Sequence, residues 1–192
     1  MKKALYLLIA LLAFISCKSK TKVETNAVPQ QEDAISYFPV TDFIKGQITS
    51  IREKKINPLK HLTIQQKIDS SWIQLESLEA EMGDFLHPLI DTANMAAFFS
   101  ERKFLDQSVN AFTFTYDPKP ALPDTFQLRN WDVYVNPEDG KVRRIYMVKN
   151  LTTDKVLQLT WQTDQYCKMV TVRQLPGGKF NVEKEEKISW DF

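Results

Sequence analysis

Hydrophobic and polar positions alternate with a period of two through much of the second half of the chain. Leu157, Leu159 and Trp161, for example, alternate with Gln and Thr residues. Successive strand residues point to opposite faces of a sheet, so this pattern predicts a strand with one buried and one solvated face. Strands are predicted at residues 112–116, 131–135, 142–149, 156–162, 166–175 and 180–190. Short Asn-, Asp-, Pro- and Gly-rich connections between them predict an antiparallel meander.

Apolar positions in the first part of the folded region recur at helical spacing instead. Helices are predicted on the apolar stripes Ile44-Ile48-Ile51, Leu75-Leu78-Met82-Phe85 and Met95-Phe98-Phe99. The stretch from residue 56 to about residue 73 lacks that spacing. It is predicted to be extended, with Trp72 as an aromatic plug.

These patterns predict an α+β fold, an antiparallel β-meander of six or more strands curled over two or three helices. The alternative is a half-barrel or closed barrel around a cavity. A single α+β domain is expected at 36–192, with its helical part at about 36–100 and its sheet part at about 101–192. A separate helical subdomain before about residue 100 is a second arrangement.

The first residues have the pattern of a bacterial export signal. Lys2 and Lys3 precede an apolar run at residues 4–15, which is shorter than the roughly 20 residues of a membrane-spanning helix. The segment Ala13-Phe14-Ile15-Ser16-Cys17 resembles the lipobox of bacterial lipoproteins. The resemblance implies a signal peptide at 1–16, cleavage before Cys17, diacylglycerol on its sulfur and usually an acyl chain on its new amino group. An ordinary secretory leader and an uncleaved helix are the alternatives.

Residues 17–35 then form the lipidated cysteine and a polar tether. The tether has almost no apolar residues, so it is expected to stay flexible. As a coil it spans on the order of 20 to 25 Å. It would hold the folded part just off the lipid headgroups.

Composition narrows the classes of function. The chain has 25 basic and 24 acidic side chains, so no overall field favours nucleic acid. Five Gly against twelve Phe, six Tyr and four Trp favour an aromatic-rich β core over a Gly-rich phosphate-binding enzyme. Lipidation of Cys17 would leave Cys167 without a partner. Cys167 sits in a predicted strand and is expected to be a small buried hydrophobe.

Candidate chemistry is sparse. The sequence contains no Gly-x-Ser-x-Gly, His-Glu-x-x-His, phosphate-loop or Cys-x-x-Cys motif, so no catalytic residue, cofactor or metal is predicted. His61 and His87 are expected to have surface or capping roles. The charged group formed by Glu101, Arg102 and Asp106, with Lys103 among them, precedes the sheet and is the candidate for lining a cleft. Structural ion pairing is the favoured role of this group.

Two further resemblances concern the exported part. Asp91-Thr92-Ala93 resembles the O-glycosylation signal of exported Bacteroidota proteins, although Thr92 also suits a helix cap. The hairpin Asp132-Val133-Tyr134-Val135 with Val142 to Val148, the segment Phe104-Leu105-Asp106-Gln107 and the pair Trp190-Asp191 resemble uncharacterised lipoproteins of Bacteroidota. The resemblance implies a Gram-negative cell envelope and no particular activity. Lys18-Ser19-Lys20 departs from the acidic run of surface-exported lipoproteins, which favours the outer membrane facing the periplasm.

No motif assigns an activity, and the sequence is compatible with three functions. The favoured hypothesis is a non-catalytic, membrane-anchored envelope lipoprotein that binds a protein or an apolar ligand. The alternative is a periplasmic lipid or lipoprotein carrier, which needs a sizeable apolar cavity. The second alternative is an unfamiliar hydrolase that uses Glu101 and Asp106 as an acid pair. The expected partners are a membrane, through the lipid anchor, and an envelope protein or apolar ligand, but no nucleic acid.

Replacing the expected lipidation site tests the lipobox. Cys17→Ser removes the sulfur that would carry diacylglycerol, so cells grown with an alkyne-tagged palmitate should label the unaltered protein but not the variant. Cys167→Ser serves as the control and should keep the label. Labelling of Cys17→Ser would contradict the lipobox assignment.

Overall fold

One antiparallel sheet of nine strands makes up most of the described chain, which comprises residues 36–191 of a computed structural model. The predicted signal peptide, Cys17 and the tether lie outside the described residues. The strands are β1 (Leu59–Ile64), β2 (Lys67–Trp72), β3 (Phe99–Asp106), β4 (Ala111–Pro118), β5 (Leu128–Val135), β6 (Val142–Asn150), β7 (Lys155–Gln162), β8 (Tyr166–Gln174) and β9 (Phe180–Ser189). The prediction of an antiparallel sheet is confirmed.

The order of the strands combines a meander with one long-range pairing. Strands β3 to β9 follow one another across the sheet, and the hairpin β1–β2 adds beyond β9 to give the order β2-β1-β9-β8-β7-β6-β5-β4-β3. Leu59 pairs with Ser189 and Ile64 with Lys184. The sheet is open, with β2 and β3 at its edges, so the closed-barrel alternative is wrong.

The β1–β2 hairpin corrects the division into a helical first part and a sheet second part. The segment is predicted to be extended, but its place in the sheet depends on contacts far along the chain. Lys60 Nζ lies 2.8 Å from a carboxylate oxygen of Glu81 and 3.3 Å from one of Glu186, and the hydrogen bond to Glu81 raises the pKa of Lys60. Trp72 is 61% exposed, so its prediction as an aromatic plug is wrong. It lies on an edge strand whose residues are all exposed.

The helical segments are α1 (Val40–Glu53), a 3₁₀ turn (Leu75–Ser77), α2 (Leu78–Glu81), α3 (Gly83–Leu86) and α4 (Thr92–Met95). The second predicted helix is therefore three short turns, interrupted where Met82 leaves helical geometry before Gly83. Asp91 caps α4 by accepting a hydrogen bond from the Asn94 amide at 2.8 Å. Within residues 36–191, no helix combines the length and apolar character needed to cross a membrane.

The helical segments and one face of the sheet share a single hydrophobic core, and we call this side the covered face. Trp131 stacks on Tyr116 with ring centroids 4.4 Å apart, and Trp161 meets Phe85 edge-on at 5.4 Å. Cys167 is fully buried here, as predicted, and burial raises the pKa of its thiol. Other sheet residues of the core are Val133, Ile145, Met147, Leu159 and Ile188.

A buried lysine joins the sheet to the helical segments. Lys149 occupies a covered-face position of β6 and is 4% exposed. Its Nζ donates hydrogen bonds to the backbone carbonyl of Asp84 and, at 2.5 Å, to that of His87. The carbonyl of Asp84 belongs to α3, and that of His87 lies just beyond its end. Burial lowers the pKa of Lys149. The sequence pattern did not indicate this contact.

The lowered pKa of Lys149 predicts a pH-dependent contribution to stability. Between its folded pKa and its ordinary value near 10.5, the unfolded chain binds more protons at Lys149 than the folded chain. The free energy of unfolding of the unaltered protein should therefore rise, relative to Lys149→Met, as the pH increases towards 10.5. Urea unfolding at a series of pH values measures this difference.

Comparing each variant with the unaltered protein at the same pH cancels the contribution of the other titrating groups to the free energy of unfolding. Lys54→Met, just after α1, is the control for replacing an exposed lysine by methionine. A constant difference between Lys149→Met and the unaltered protein would contradict the account of Lys149.

Candidate binding site on the uncovered sheet face

Residues that alternate with the core positions project from the opposite side of the sheet, which we call the uncovered face. On β5, Trp131 and Val133 enter the core, while Asp132 and Tyr134 lie on the uncovered face. Half-buried side chains of several strands continue this surface: Tyr146, Val148, Val156, Val170 and Tyr166. The uncovered face is therefore a mixed surface of tyrosine, valine and polar side chains.

A polar cluster around Asp132 lies near the β3 side of this face. The Thr115 hydroxyl donates to one Asp132 carboxylate oxygen at 2.6 Å, and the Tyr134 hydroxyl lies 3.4 Å from the other. The sheet register makes this cluster, because Asp132 pairs with both Thr115 on β4 and Tyr146 on β6. Cross-strand neighbours on one face are close enough for their side chains to interact.

An arginine completes the cluster. Arg144 is the β6 partner of Tyr134, and its guanidinium lies over the Tyr134 ring, 4.0 Å from the centroid. Stacking of this kind holds a guanidinium flat while leaving its N–H groups available to another acceptor. We refer to Thr115, Asp132, Tyr134, Arg144 and Tyr146 as the Asp132 cluster.

The electrostatics of the cluster keep its two tyrosines protonated. Burial raises the pKa of Tyr134, and the negative charge of Asp132 raises it further. Burial also raises the pKa of Tyr146, and the negative charge of Asp132 adds to this shift. Both hydroxyls therefore act as neutral hydrogen-bonding groups at neutral pH.

A cleft of about 230 Å³ opens beside the cluster. Its lining residues are Val109, Ala111, Tyr134, Arg143, Arg144 and Gln162. The consecutive residues Arg143 and Arg144 both reach the cleft because the register between β5 and β6 shifts at this point. Tyr134 pairs with Arg144 and Val135 with Val142, which leaves Arg143 as the extra residue of a β-bulge.

The charged residues predicted from sequence lie on β3 and do not converge. The Glu101 carboxylate contacts Lys103 Nζ at 2.9 Å, and Arg102 pairs with Asp117 at 2.6 Å. Asp106 accepts hydrogen bonds from the amide and hydroxyl of Ser108, which lower its pKa. Glu101 and Asp106 are five residues apart on one strand, so they face opposite sides and are separated by roughly 17 Å.

Three other residues singled out from sequence form hydrogen bonds or contacts within the fold. His61 Nδ1 lies 2.8 Å from the Ser70 hydroxyl, and the exposed His87 contributes its backbone carbonyl to Lys149. The Thr92 hydroxyl accepts a hydrogen bond from the Tyr37 amide at 2.8 Å. Among residues 36–191, no group of three His, Cys, Asp or Glu side chains is arranged to hold a metal ion.

Two segments of the sequence carry a signal for the Asp132 cluster, although no site was predicted from them. The alternation in the segment Trp131-Asp132-Val133-Tyr134 indicates which residues avoid the core. In the segment Val142-Arg143-Arg144-Ile145, two consecutive polar residues between core residues break the alternation, as a bulge would. Proximity of the two segments on one face follows only from the register.

Comparisons with protein-family models, with curated proteins and with solved structures found no match for this chain. The Asp132 cluster combines a fixed carboxylate, two neutral phenols and a stacked guanidinium on a half-exposed surface. These groups suit recognition through hydrogen bonds and ring stacking.

Neutralising Asp132 tests the electrostatics of the cluster. In Asp132→Asn, loss of the negative charge should lower the pKa of Tyr134 and Tyr146, although burial should keep both above the ordinary tyrosine value. Tyrosine ring-carbon NMR signals, assigned with Tyr→Phe variants and followed against pH, give both values. Asp124→Asn, in the exposed loop before β5, should leave them unchanged. Unchanged tyrosine pKa values in Asp132→Asn would contradict this arrangement of charges.

Proposed function

We propose that this protein is a non-catalytic lipoprotein of the cell envelope that binds another protein through the uncovered face of its sheet. In this proposal Cys17 carries the lipid anchor, and residues 18–35 tether the folded part to the outer membrane on its periplasmic side. The observation that carries the proposal is the Asp132 cluster, which places aromatic and charged recognition groups on a half-exposed face.

The residue types of the cluster support a protein partner. Tyrosine and arginine are enriched at the centres of protein interfaces, where a large side chain with a polar end contributes much of the binding energy. Tyr134 and Arg144 are stacked, and Asp132 is fixed by Thr115, so less side-chain freedom remains to be lost on binding. The neighbouring valines Val148, Val156 and Val170 would add apolar contact area.

The packing of the covered face favours this proposal over a lipid carrier. A carrier needs a sizeable apolar cavity between sheet and helices. Trp161 instead meets Phe85 at 5.4 Å and Trp190 at 5.2 Å, and Trp131 stacks on Tyr116. The separation of Glu101 and Asp106 likewise gives no support to the acid-pair hydrolase.

We also propose that the sheet curls around its helices in the manner of a half-barrel. Strand twist accumulates across an open sheet of nine strands. Phe99 on β3 and Ile188 on β9 are both fully buried in the same core. In a flat sheet these strands would be roughly 29 Å apart, whereas the 14 residues of α1 span only about 21 Å. Curling would bring both strands within reach of the helical layer.

Photo-crosslinking in living cells tests the proposed binding surface. p-Benzoylphenylalanine at Tyr146, on the uncovered face, should give a discrete protein adduct after irradiation, because the partner would lie against this residue. The matched control places the same group at Glu53, at the exposed end of α1, and should not give that adduct. Adducts of the same mass from both positions, or none from Tyr146, would contradict the proposal.

A further inference from the structure

The β-bulge on β6 directs two consecutive arginines to one side of the sheet. In regular strands consecutive side chains alternate, so Arg143 and Arg144 would lie on opposite faces. Both Val142 and Ile145 are instead buried in the core, and the exposed Arg143 and half-buried Arg144 lie between them. A bulge re-aims side chains in this way and is common beside functional sites.

The partners of these two arginines differ from those of most other arginines in the described chain. Arg52, Arg102 and Arg173 each form an ion pair with a carboxylate. Arg143 reaches only backbone carbonyls, those of Val109 at 3.4 Å and Asn110 at 3.3 Å, while Arg144 stacks on Tyr134. Neither arginine forms a direct ion pair within residues 36–191, although the negative charge of Asp106 attracts Arg144 from further away.

The surroundings of the two guanidinium groups form a cleft suited to a small anionic group. Its volume of about 230 Å³ is less than that of a drug-sized pocket, and Gln162 adds an amide to its lining. Tyr134 provides one wall and holds the Arg144 guanidinium flat. Planar guanidinium groups bind carboxylates through paired N–H donors.

We propose that this cleft binds a side-chain or terminal carboxylate from an acidic segment of the protein partner. This inference rests on the proposed function, because it names the chemistry that the uncovered face would recognise. A singly charged carboxylate fits better than a doubly charged phosphate, since Asp106 lies close enough to Arg144 to interact with it and Asp132 adjoins Tyr134. A second negative charge on the ligand would be repelled by these carboxylates.

Binding of a fluorescein-labelled hexaglutamate peptide to the full chain in detergent tests the proposal. Fluorescence anisotropy should show binding that weakens with salt and falls by at least about tenfold in Arg143→Gln/Arg144→Gln, since each arginine would donate charge-assisted hydrogen bonds. Arg102→Gln is the matched control, because Arg102 lies on the same sheet but is paired with Asp117. This control should bind hexaglutamate as the unaltered protein does.

A charge reversal gives a readout that loss of folding cannot produce. Arg143→Glu/Arg144→Glu should lose hexaglutamate and gain binding of a labelled hexalysine peptide. Equal loss of hexaglutamate in Arg102→Gln, or unchanged binding in the double Gln variant, would overturn the proposal. Inorganic phosphate that displaces the peptide at an equal concentration of anionic groups would also overturn it, in favour of a general anion site.

Crosslinking from Tyr146 separates the two claims. Loss of the adduct in the double Gln variant supports the carboxylate site. If the adduct persists unchanged in that variant, the uncovered face still binds a protein and only the inference about the arginines fails. If the protein with both arginines unaltered also gives no adduct from position 146, the proposed function itself fails.

Discussion

Burial of Trp131 and Trp161 on one face of the sheet is the constraint on which the rest of this structure depends. Trp131 stacks on Tyr116 and meets Phe99 edge-on, while Trp161 packs against Phe85 of α3. Because strand side chains alternate, this burial fixes the opposite orientation of their neighbours. A shift of one residue in register would bring Asp132 into the core and expose Trp131, at a large cost in hydrophobic burial and charge desolvation. The Asp132 cluster is thus a consequence of the core.

The short helical segments stay on the covered face through a few specific contacts as well as through apolar packing. Lys149 binds the carbonyls of Asp84 and His87, and Lys60 connects β1 to Glu81 at the end of α2. These contacts compensate for the small number of residues in each turn, since such short helices are unstable alone. With the helices so held on the covered face, the described helical segments leave the opposite face of the sheet open. There the bulge at Arg143 changes the alternation and brings two positive charges together.

Local patterns in the sequence predicted the parts of the fold that depend on neighbouring residues. The strands from β4 to β9, their meander and the burial of Cys167 follow from alternation and short turns. The pairing of β1 with β9 joins residues more than a hundred positions apart, so no local pattern indicates it. The burial of Lys149 could not be predicted either, because a charged side chain is stable in the core only with hydrogen-bond partners, and here these are carbonyls from a turn far away in the sequence. The candidate site was missed for the same reason: Glu101 and Asp106 are close in sequence, whereas Thr115, Asp132 and Arg144 meet only across strands.

Hydroxyl-radical footprinting in intact cells tests the central claim, that the uncovered face is a binding surface, most directly. Tyr134 and Tyr146 should be oxidised in the purified full chain and protected in the envelope, because a partner would cover them there. Phe180, which is 70% exposed near the start of β9, should be oxidised to the same extent in both samples. Equal oxidation of Tyr134 and Tyr146 in cells and in the purified protein would contradict the account.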